Sequence, residues 1–408
     1  MTSKINAEQA YVWIWLPKQT QPVLAGQVKK QGQLHQFVYS RHYRKLADAI
    51  ALSPLELPLQ AGTLTPQGMN TLHACLRDAA PDAWGRRVLD YHYPQSVLGE
   101  LDYLLLSGSD RIGALDFQAS NTLYEPRQTP TPSLQDLFLA AELIERRQPL
   151  PPELDRALLH GTSVGGARPK ALLQDQTGSY IAKFSTSSDS YDVVKTEYIA
   201  MQLAQLVGLN VAKTQLVSVL GKDVLLVECF DRIHSAKEAS RRLLLSGLSL
   251  LGLNEMEARY ASYQDLADLI RQQFHQPKAN LHELFKRLVF NILIGNTDDH
   301  ARNHAAFWDG QYLSLTPAYD LCPQLRSGQE ASQAMQINGI QGNLSTLANA
   351  LSICTTFQLE VDEAQAIINQ QITILQENWT DLCQQAGLAK SEQERLWQKA
   401  ILNPFCFH

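Results

Sequence analysis

Residues 284–310 read LFKRLVFNILIGNTDDHARNHAAFWDG and are the most informative stretch of this 408-residue chain. Four apolar residues repeat with the spacing of one helical face: Phe285, Leu288, Val289 and Ile292. This spacing predicts a buried helix. The helix leads directly into residues 296–304, which are dense in carboxylates, amides and imidazoles. The pattern therefore predicts a functional loop after the helix.

Three oxygen-bearing side chains in and after this loop suggest phosphoryl transfer. They are Asp298, Asn303 five residues later, and Asp320, which follows a short apolar run. Transfer of a phosphoryl group to a hydroxyl needs one carboxylate to accept the hydroxyl proton, and amide and carboxylate oxygens to hold Mg²⁺ on the phosphates. One alternative is that these residues only cap and turn the loop. Another is zinc bound by His300 and His304, but no HExxH glutamate is present, and His300 is expected to brace the loop.

A glycine-rich stretch, GTSVGGARPK at 161–170, predicts a phosphate-binding loop. Paired glycines let backbone N–H groups approach phosphate oxygens, and Arg168 and Lys170 add positive charge. The stretch is not a Walker A motif, and an ordinary turn is the alternative interpretation.

Two further features lie downstream of this loop. Lys183 shares a strand face with Ile181 in SYIAKF, where it can reach a nucleotide phosphate and pair with Glu197 on the next helix. Residues 228–230 follow the apolar run VLLV, where hinge backbone groups can meet adenine. The alternatives are a solvated edge-strand lysine and a simple strand end.

The amino-acid composition excludes or disfavours several classes of protein. Hydrophobic residues make up 45% and charged residues 19%, which excludes a disordered chain. The net charge of −6 disfavours direct binding to nucleic acid. The apolar run Tyr11 to Leu16 is too short for a membrane span, and no cleavable signal precedes it, so we expect a cytoplasmic protein without a membrane partner. The six cysteines form no CxxC motif and are expected to be reduced and packed.

Element patterns predict an α+β protein. Short β-rich runs dominate residues 11–40 and 179–229, whereas the pattern after Arg232 is helical almost to the end. An amphipathic helix is expected before Gly208, which is placed as its stop. This order predicts a small sheet lobe followed by a larger helical lobe.

Taken in order, these motifs resemble those of the HipA family of serine/threonine protein kinases, the toxin halves of bacterial toxin–antitoxin pairs. The N-terminal part matches through LPLQAG, DAAPDAWGRRVL and LLLSGSDRIGALDF. The remainder matches through SVGGARPK, IAKF, GLNV, VECFDR, NTDDHARNH and LTPAYDL. The best-known member has Gly after the catalytic Asp and Gln-Glu-Lys in the phosphate loop, where this chain has Asp299 and Arg168-Pro169-Lys170.

The resemblance implies a bilobal, protein-kinase-like fold with a small β-rich lobe, an all-helical C-terminal lobe and an extra N-terminal α+β domain. The expected domains are residues 1–135 (N-terminal), 136–232 (ATP-binding) and 233–408 (catalytic). It implies ATP and Mg²⁺ as cofactors, Asp298 as catalytic base, and Asn303 and Asp320 as Mg²⁺ ligands. The implied ATP-binding residues are Gly165, Gly166, Ala167, Arg168, Pro169, Lys170, Lys183, Glu228, Cys229, Phe230, His300, Asn303, Tyr319 and Asp320. Ser163 is the implied autophosphorylation site, with Thr162 as the alternative.

The predicted function is that of a protein kinase which arrests growth unless an antitoxin or its own phosphorylation restrains it. The family suggests a small helix-turn-helix antitoxin as partner, DNA contact only through that antitoxin, and an aminoacyl-tRNA synthetase as the class of substrate. One alternative is a nucleotide-dependent corepressor that acts by binding the antitoxin. Another is a metal-dependent phosphohydrolase that uses the Asp and His cluster.

Overall fold

The computed structural model describes residues 5–127, 133–151, 154, 168–174, 178–234, 239–326, 328 and 330–408. Its strands are β1 (Gln9–Ile14), β2 (Val23–Gln31), β3 (Leu34–Tyr39), β4 (Thr63–Leu64), β5 (Leu115–Gln118), β6 (Lys170–Gln174), β7 (Ser179–Phe184), β8 (Thr214–Val219), β9 (Lys222–Glu228), β10 (Arg232–His234), β11 (Ala239–Arg241), β12 (Leu243–Ser246), β13 (Ala305–Trp308) and β14 (Leu313–Leu315). Its helices are α1 (Ala74–Arg77), α2 (Ala83–His92), α3 (Glu100–Leu106), α4 (Leu134–Glu145), α5 (Val193–Leu206), α6 (Gly247–Leu250), α7 (Tyr263–Gln273), α8 (Pro277–Ile294), α9 (Leu347–Leu351), α10 (Val361–Gln385) and α11 (Lys390–Leu396). Among the described residues, no helix is both long and apolar enough to cross a membrane.

The chain forms two compact units. The first comprises residues 1–187, 217–245 and 307–311. The second comprises residues 188–216, 246–306 and 312–408.

Two sheets organise the first unit. The five-stranded sheet has the order β4-β3-β2-β1-β5 with antiparallel pairing throughout, so β1 lies enclosed between β2 and β5. The four-stranded sheet has the order β6-β7-β9-β8, and β7 is antiparallel to both β6 and β9. Tyr180, Ala182 and Phe184 on one face of β7 pack into a cluster that includes α4 and Trp84. Ile181 and Lys183 therefore share the opposite face, as their spacing predicts.

Helices organise the second unit around α8. Pro277 occupies the first helical position, where its missing N–H costs nothing, and Gly295 ends the helix in the left-handed conformation (φ +67°). The predicted apolar face is fully buried, and α8 packs against α7, α9 and α10. The helix predicted before Gly208 is α5, and Gly208 has φ +82°.

The predicted mixed fold of sheet and helix is confirmed. Residues 233–408 are mainly helical and also contain the short strands β11 to β14. β12 and β13 are buried at every position, so their apolar runs lack the alternation that marks a strand in a sequence.

Candidate active site

The loop after α8 begins in a fixed direction. A Cβ at Gly295 would lie 2.6 Å from the carbonyl oxygen of Ala400, so only glycine fits there. The buried Asn296 side chain donates from Nδ2 to Oδ1 of Asn291 at 2.9 Å. The direction in which residues 297–304 leave the helix is therefore set by the packed end of α8.

The buried side chain of Asp299 holds the loop 297–304 in place. Its buried carboxylate accepts a hydrogen bond from the Tyr263 hydroxyl on α7 and lies 3.1 Å from Nε2 of His304. Burial by itself raises the pKa of Asp299, but His304 and the two hydrogen bonds outweigh burial and lower the pKa below its ordinary value. The contact between Asp299 and His304 closes a short loop that contains Asn303.

Asn303 is held against the backbone of Asp298. Its Nδ2 donates to the Asp298 carbonyl oxygen at 3.1 Å, and its own backbone N–H donates to the His300 carbonyl at 2.8 Å. Because the amide nitrogen is committed to this bond, Oδ1 is the side-chain atom suited to a cation.

Asp298 itself presents an exposed carboxylate. Partial desolvation and the negative charges of Asp320 and Asp299 raise the pKa of Asp298, whereas His300 acts in the opposite direction. Asp298 and Asp320, 22 positions apart in sequence, both belong to the second unit.

Asp320 is held in an uncommon backbone conformation with φ +60°. Just before it, the Tyr319 hydroxyl donates to the Arg302 carbonyl oxygen at 2.6 Å. The buried Arg287 on α8 donates to the Thr316 carbonyl oxygen at 2.7 Å. A non-glycine residue in this conformation persists only when its surroundings enforce it, which is typical of functional sites. The second unit thus brings together Asp298, His300, Asn303, Tyr319 and Asp320.

The first unit carries two lysines on one sheet face. Lys170 on β6 lies directly opposite Lys183 on β7, so both side chains project to the same side of the sheet. Leu172, Ile181 and Cys229 form a small apolar cluster on that face. The two lysines thus place two positive charges on this face of the sheet. This face of the sheet therefore carries both an apolar surface and positive charge.

The predicted hinge follows β9 on the same sheet. The Cys229 backbone N–H donates to the Ser179 carbonyl oxygen at 2.8 Å, and the Phe230 ring packs edge-on against Phe307 at 5.9 Å. Pro169, just before β6, accepts from the Phe184 backbone N–H at 3.1 Å. Thr162, Ser163, Gly165, Gly166 and Ala167 lie outside the described residues.

Metal binding at this site depends on oxygen donors. Among the described residues, no three His, Cys, Asp or Glu side chains converge on a point that could hold a metal ion. Asn303 and Asp320 can still supply two oxygens for Mg²⁺, which takes its other ligands from phosphates and water. The His304 ring contacts the Asp299 carboxylate through Nε2.

Sequence reasoning missed the anchoring role of Asp299, Tyr263 and His304. Tyr263 precedes Asp299 by 36 positions, and no local pattern links them. The only signal was Asp299 itself, at a position where the best-known member of the resembled family has glycine.

The N-terminal and C-terminal parts of the chain each match a known protein family. Residues 162–379 match the family described as the HipA-like C-terminal domain, and residues 15–118 match the HipA N-terminal domain. The protein Y4mE of Sinorhizobium fredii is 30% identical over 147 residues, which are 35% of this chain and 33% of that protein. The serine/threonine-protein kinase toxin HipA of Shewanella oneidensis is 27% identical over 183 residues, 39% of this chain and 42% of that protein. These matches span less than half the length of either relative.

A solved structure shows the same fold. A chain in the complex of Shewanella oneidensis HipA, HipB and operator DNA superposes with a TM-score of 0.68 at 20% identity, and the match covers 92% of both chains.

Proposed function

Since this chain belongs to the HipA family, we propose that it is an ATP-dependent serine/threonine protein kinase that arrests growth. The observation that carries the proposal is that Asn303 bonds to the Asp298 backbone and that Tyr319, next to Asp320, bonds to the Arg302 carbonyl of the same loop. A carboxylate base beside an amide and a carboxylate oxygen is the set of side chains that phosphoryl transfer to a hydroxyl requires.

Each of these side chains has a distinct proposed role. Asp298 is exposed, and its carboxylate accepts the proton of the acceptor hydroxyl. Asn303 and Asp320 offer hard oxygen donors that fit Mg²⁺. When bound, Mg²⁺ neutralises the charge that develops on the phosphates. His300 and Tyr319 are the other proposed nucleotide-binding residues of this region. The Tyr319 hydroxyl donates to the Arg302 carbonyl oxygen.

The proposed nucleotide surface is the sheet face of the first unit. Lys170 and Lys183 supply positive charge for phosphate oxygens, and the apolar cluster beside them suits a purine ring. Backbone groups of 228–230 act as the adenine hinge. Residues 165–170 form the phosphate loop, and Ser163 is the autophosphorylation site.

The proposed partners follow from the family. We propose a helix-turn-helix, HipB-like antitoxin as the restraining partner, with DNA reached only through it, and an aminoacyl-tRNA synthetase as the class of protein substrate. The solved relative is a complex with HipB and operator DNA, which supports the antitoxin. The three-domain division at residues 135 and 232 is also part of this proposal.

Two isosteric substitutions test the kinase assignment. Asp298→Asn should lower phosphoryl transfer at least about 100-fold while ATP affinity stays within about twofold, because only the base is lost. Asp320→Asn should weaken ATP binding only when Mg²⁺ is present. Asp381→Asn, an exposed residue of α10, is the matched control and should behave as wild type.

The measurements are titration of ATP with and without Mg²⁺, and transfer of labelled γ-phosphate to protein. Normal transfer by folded Asp298→Asn protein would contradict the assignment. ATP consumption without any labelled protein would favour a phosphohydrolase instead.

A further inference from the structure

An ion network joins residues 109–113 to the residues that follow the proposed hinge, and within it the Asp110 side chain is 30% exposed. Only 4% of the Arg232 side chain is exposed, and it donates to Oδ1 of Asp110 at 2.8 Å. The same guanidinium donates to the carbonyl oxygens of Arg111 and Gly113, the latter at 3.3 Å. Its planar array of donors is thus distributed over three acceptors of one short loop.

Asp231 completes the junction from the other side. Its carboxylate accepts from the Gly113 backbone N–H at 2.5 Å and from the neighbouring Arg232. Arg241 adds a bond to the Ser109 carbonyl at 3.0 Å. Loss of one acid from this set leaves the buried Arg232 guanidinium with less compensation, which is unfavourable. Hydrogen bonds and an ion pair thus connect the loop 109–113 to residues 231–232.

This junction lies against the hinge backbone. The Arg232 backbone N–H donates to the Cys229 carbonyl at 3.2 Å, while the Cys229 N–H donates to Ser179 of β7. The backbone of 229–230 is thus held between the sheet on one side and the ion network on the other.

We propose that Asp110 and Arg232 are positioning residues that set the hinge for nucleotide binding. The N-terminal part of the chain thereby acts as a component of the ATP site. The inference rests on the proposed function, because it assigns a task to that function's hinge.

Asp110→Asn tests the inference, since it removes the charge and keeps a side chain of the same shape. We expect the Kd for ATP to rise about tenfold, which corresponds to about 1.4 kcal/mol, while kcat at saturating ATP stays within about twofold. An adenine contact is made equally in the ground and transition states, so its loss affects binding and not turnover. Glu100→Gln is the control, because Glu100 forms an ion pair with Arg86 at 2.7 Å in the same unit, away from the hinge.

Arg232→Lys provides a second variant in case Asp110→Asn does not fold, as judged by circular dichroism and thermal unfolding. Lysine keeps the charge but carries all its donors on one atom, so it lacks the two separate nitrogens that Arg232 uses and the Kd should rise in the same way. An unchanged Kd in a folded variant would overturn the inference. An equal rise in Glu100→Gln would overturn it too, because the effect would then reflect general loosening. Wild-type protein that binds no ATP would instead refute the proposed function on which the inference rests.

Discussion

Replacement of Tyr263 by Phe removes a single hydroxyl from behind the proposed catalytic loop. In the wild-type protein this hydroxyl donates to the Asp299 carboxylate, and both side chains are almost fully buried. A hydrogen bond to a charged group contributes about 1.5–3 kcal/mol, so the free energy of unfolding should fall by about 2 kcal/mol. The contact of Asp299 with His304 remains, which limits the loss.

The low pKa of Asp299 gives this effect a defined pH dependence. A carboxyl whose pKa is lower in the folded than in the unfolded protein contributes stability above its unfolded pKa, about 4, and loses that contribution as pH falls through its folded pKa. Because the Tyr263 hydroxyl is part of what lowers the pKa, Tyr263→Phe should cost the full amount at pH 7. The difference from wild type should shrink progressively below about pH 4.

Urea unfolding followed by circular dichroism, from pH 7 down to pH 3, measures this difference. Tyr260→Phe is the control, since Tyr260 is 60% exposed in the same unit and should change stability by no more than about 0.5 kcal/mol. Equal unfolding midpoints for Tyr263→Phe and wild type at pH 7 would refute the reasoning. So would a difference that grows toward acid pH.

Three further predictions concern other parts of the chain. Lys183→Met should lower ATP affinity or turnover at least tenfold, about 1.4 kcal/mol, and an unchanged ATP titration with Mg²⁺ would mark Lys183 as a solvated strand residue. Wild-type protein incubated with ATP and Mg²⁺ should gain one phosphate, detected by mass spectrometry, and Ser163→Ala should gain none; the added charge of about −2 should also reduce activity. Gly295→Ala should lower the free energy of unfolding by more than about 1 kcal/mol, because it combines φ +67° with a contact of 2.6 Å to the Ala400 carbonyl. Gly387→Ala, with φ +62° and open space around the added Cβ, should cost less, and equal losses would show that the contact is unimportant.

Local patterns predicted much of the fold and the identity of the site segment. The helices α5 and α8 follow from apolar spacing, and the opposite faces of Tyr180 and Lys183 follow from strand alternation. These features depend on neighbouring residues only, so a periodicity of two or of 3.6 reveals them. The fully buried β12 and β13 carry no such periodicity and were absent from the predicted helical region.

The sequence alone determined the helices α5 and α8, the chemistry of the residues at the site and the family resemblance. Tertiary structure decided which distant groups share an environment. It placed Lys170 opposite Lys183, closed the Asp299 carboxylate against Tyr263, and bound Asp231 to Gly113 across 118 positions. A buried charge is tolerated only where partners surround it, and those partners come from segments that the chain brings together on folding. The spacing of residues along the chain does not reveal these contacts between distant segments.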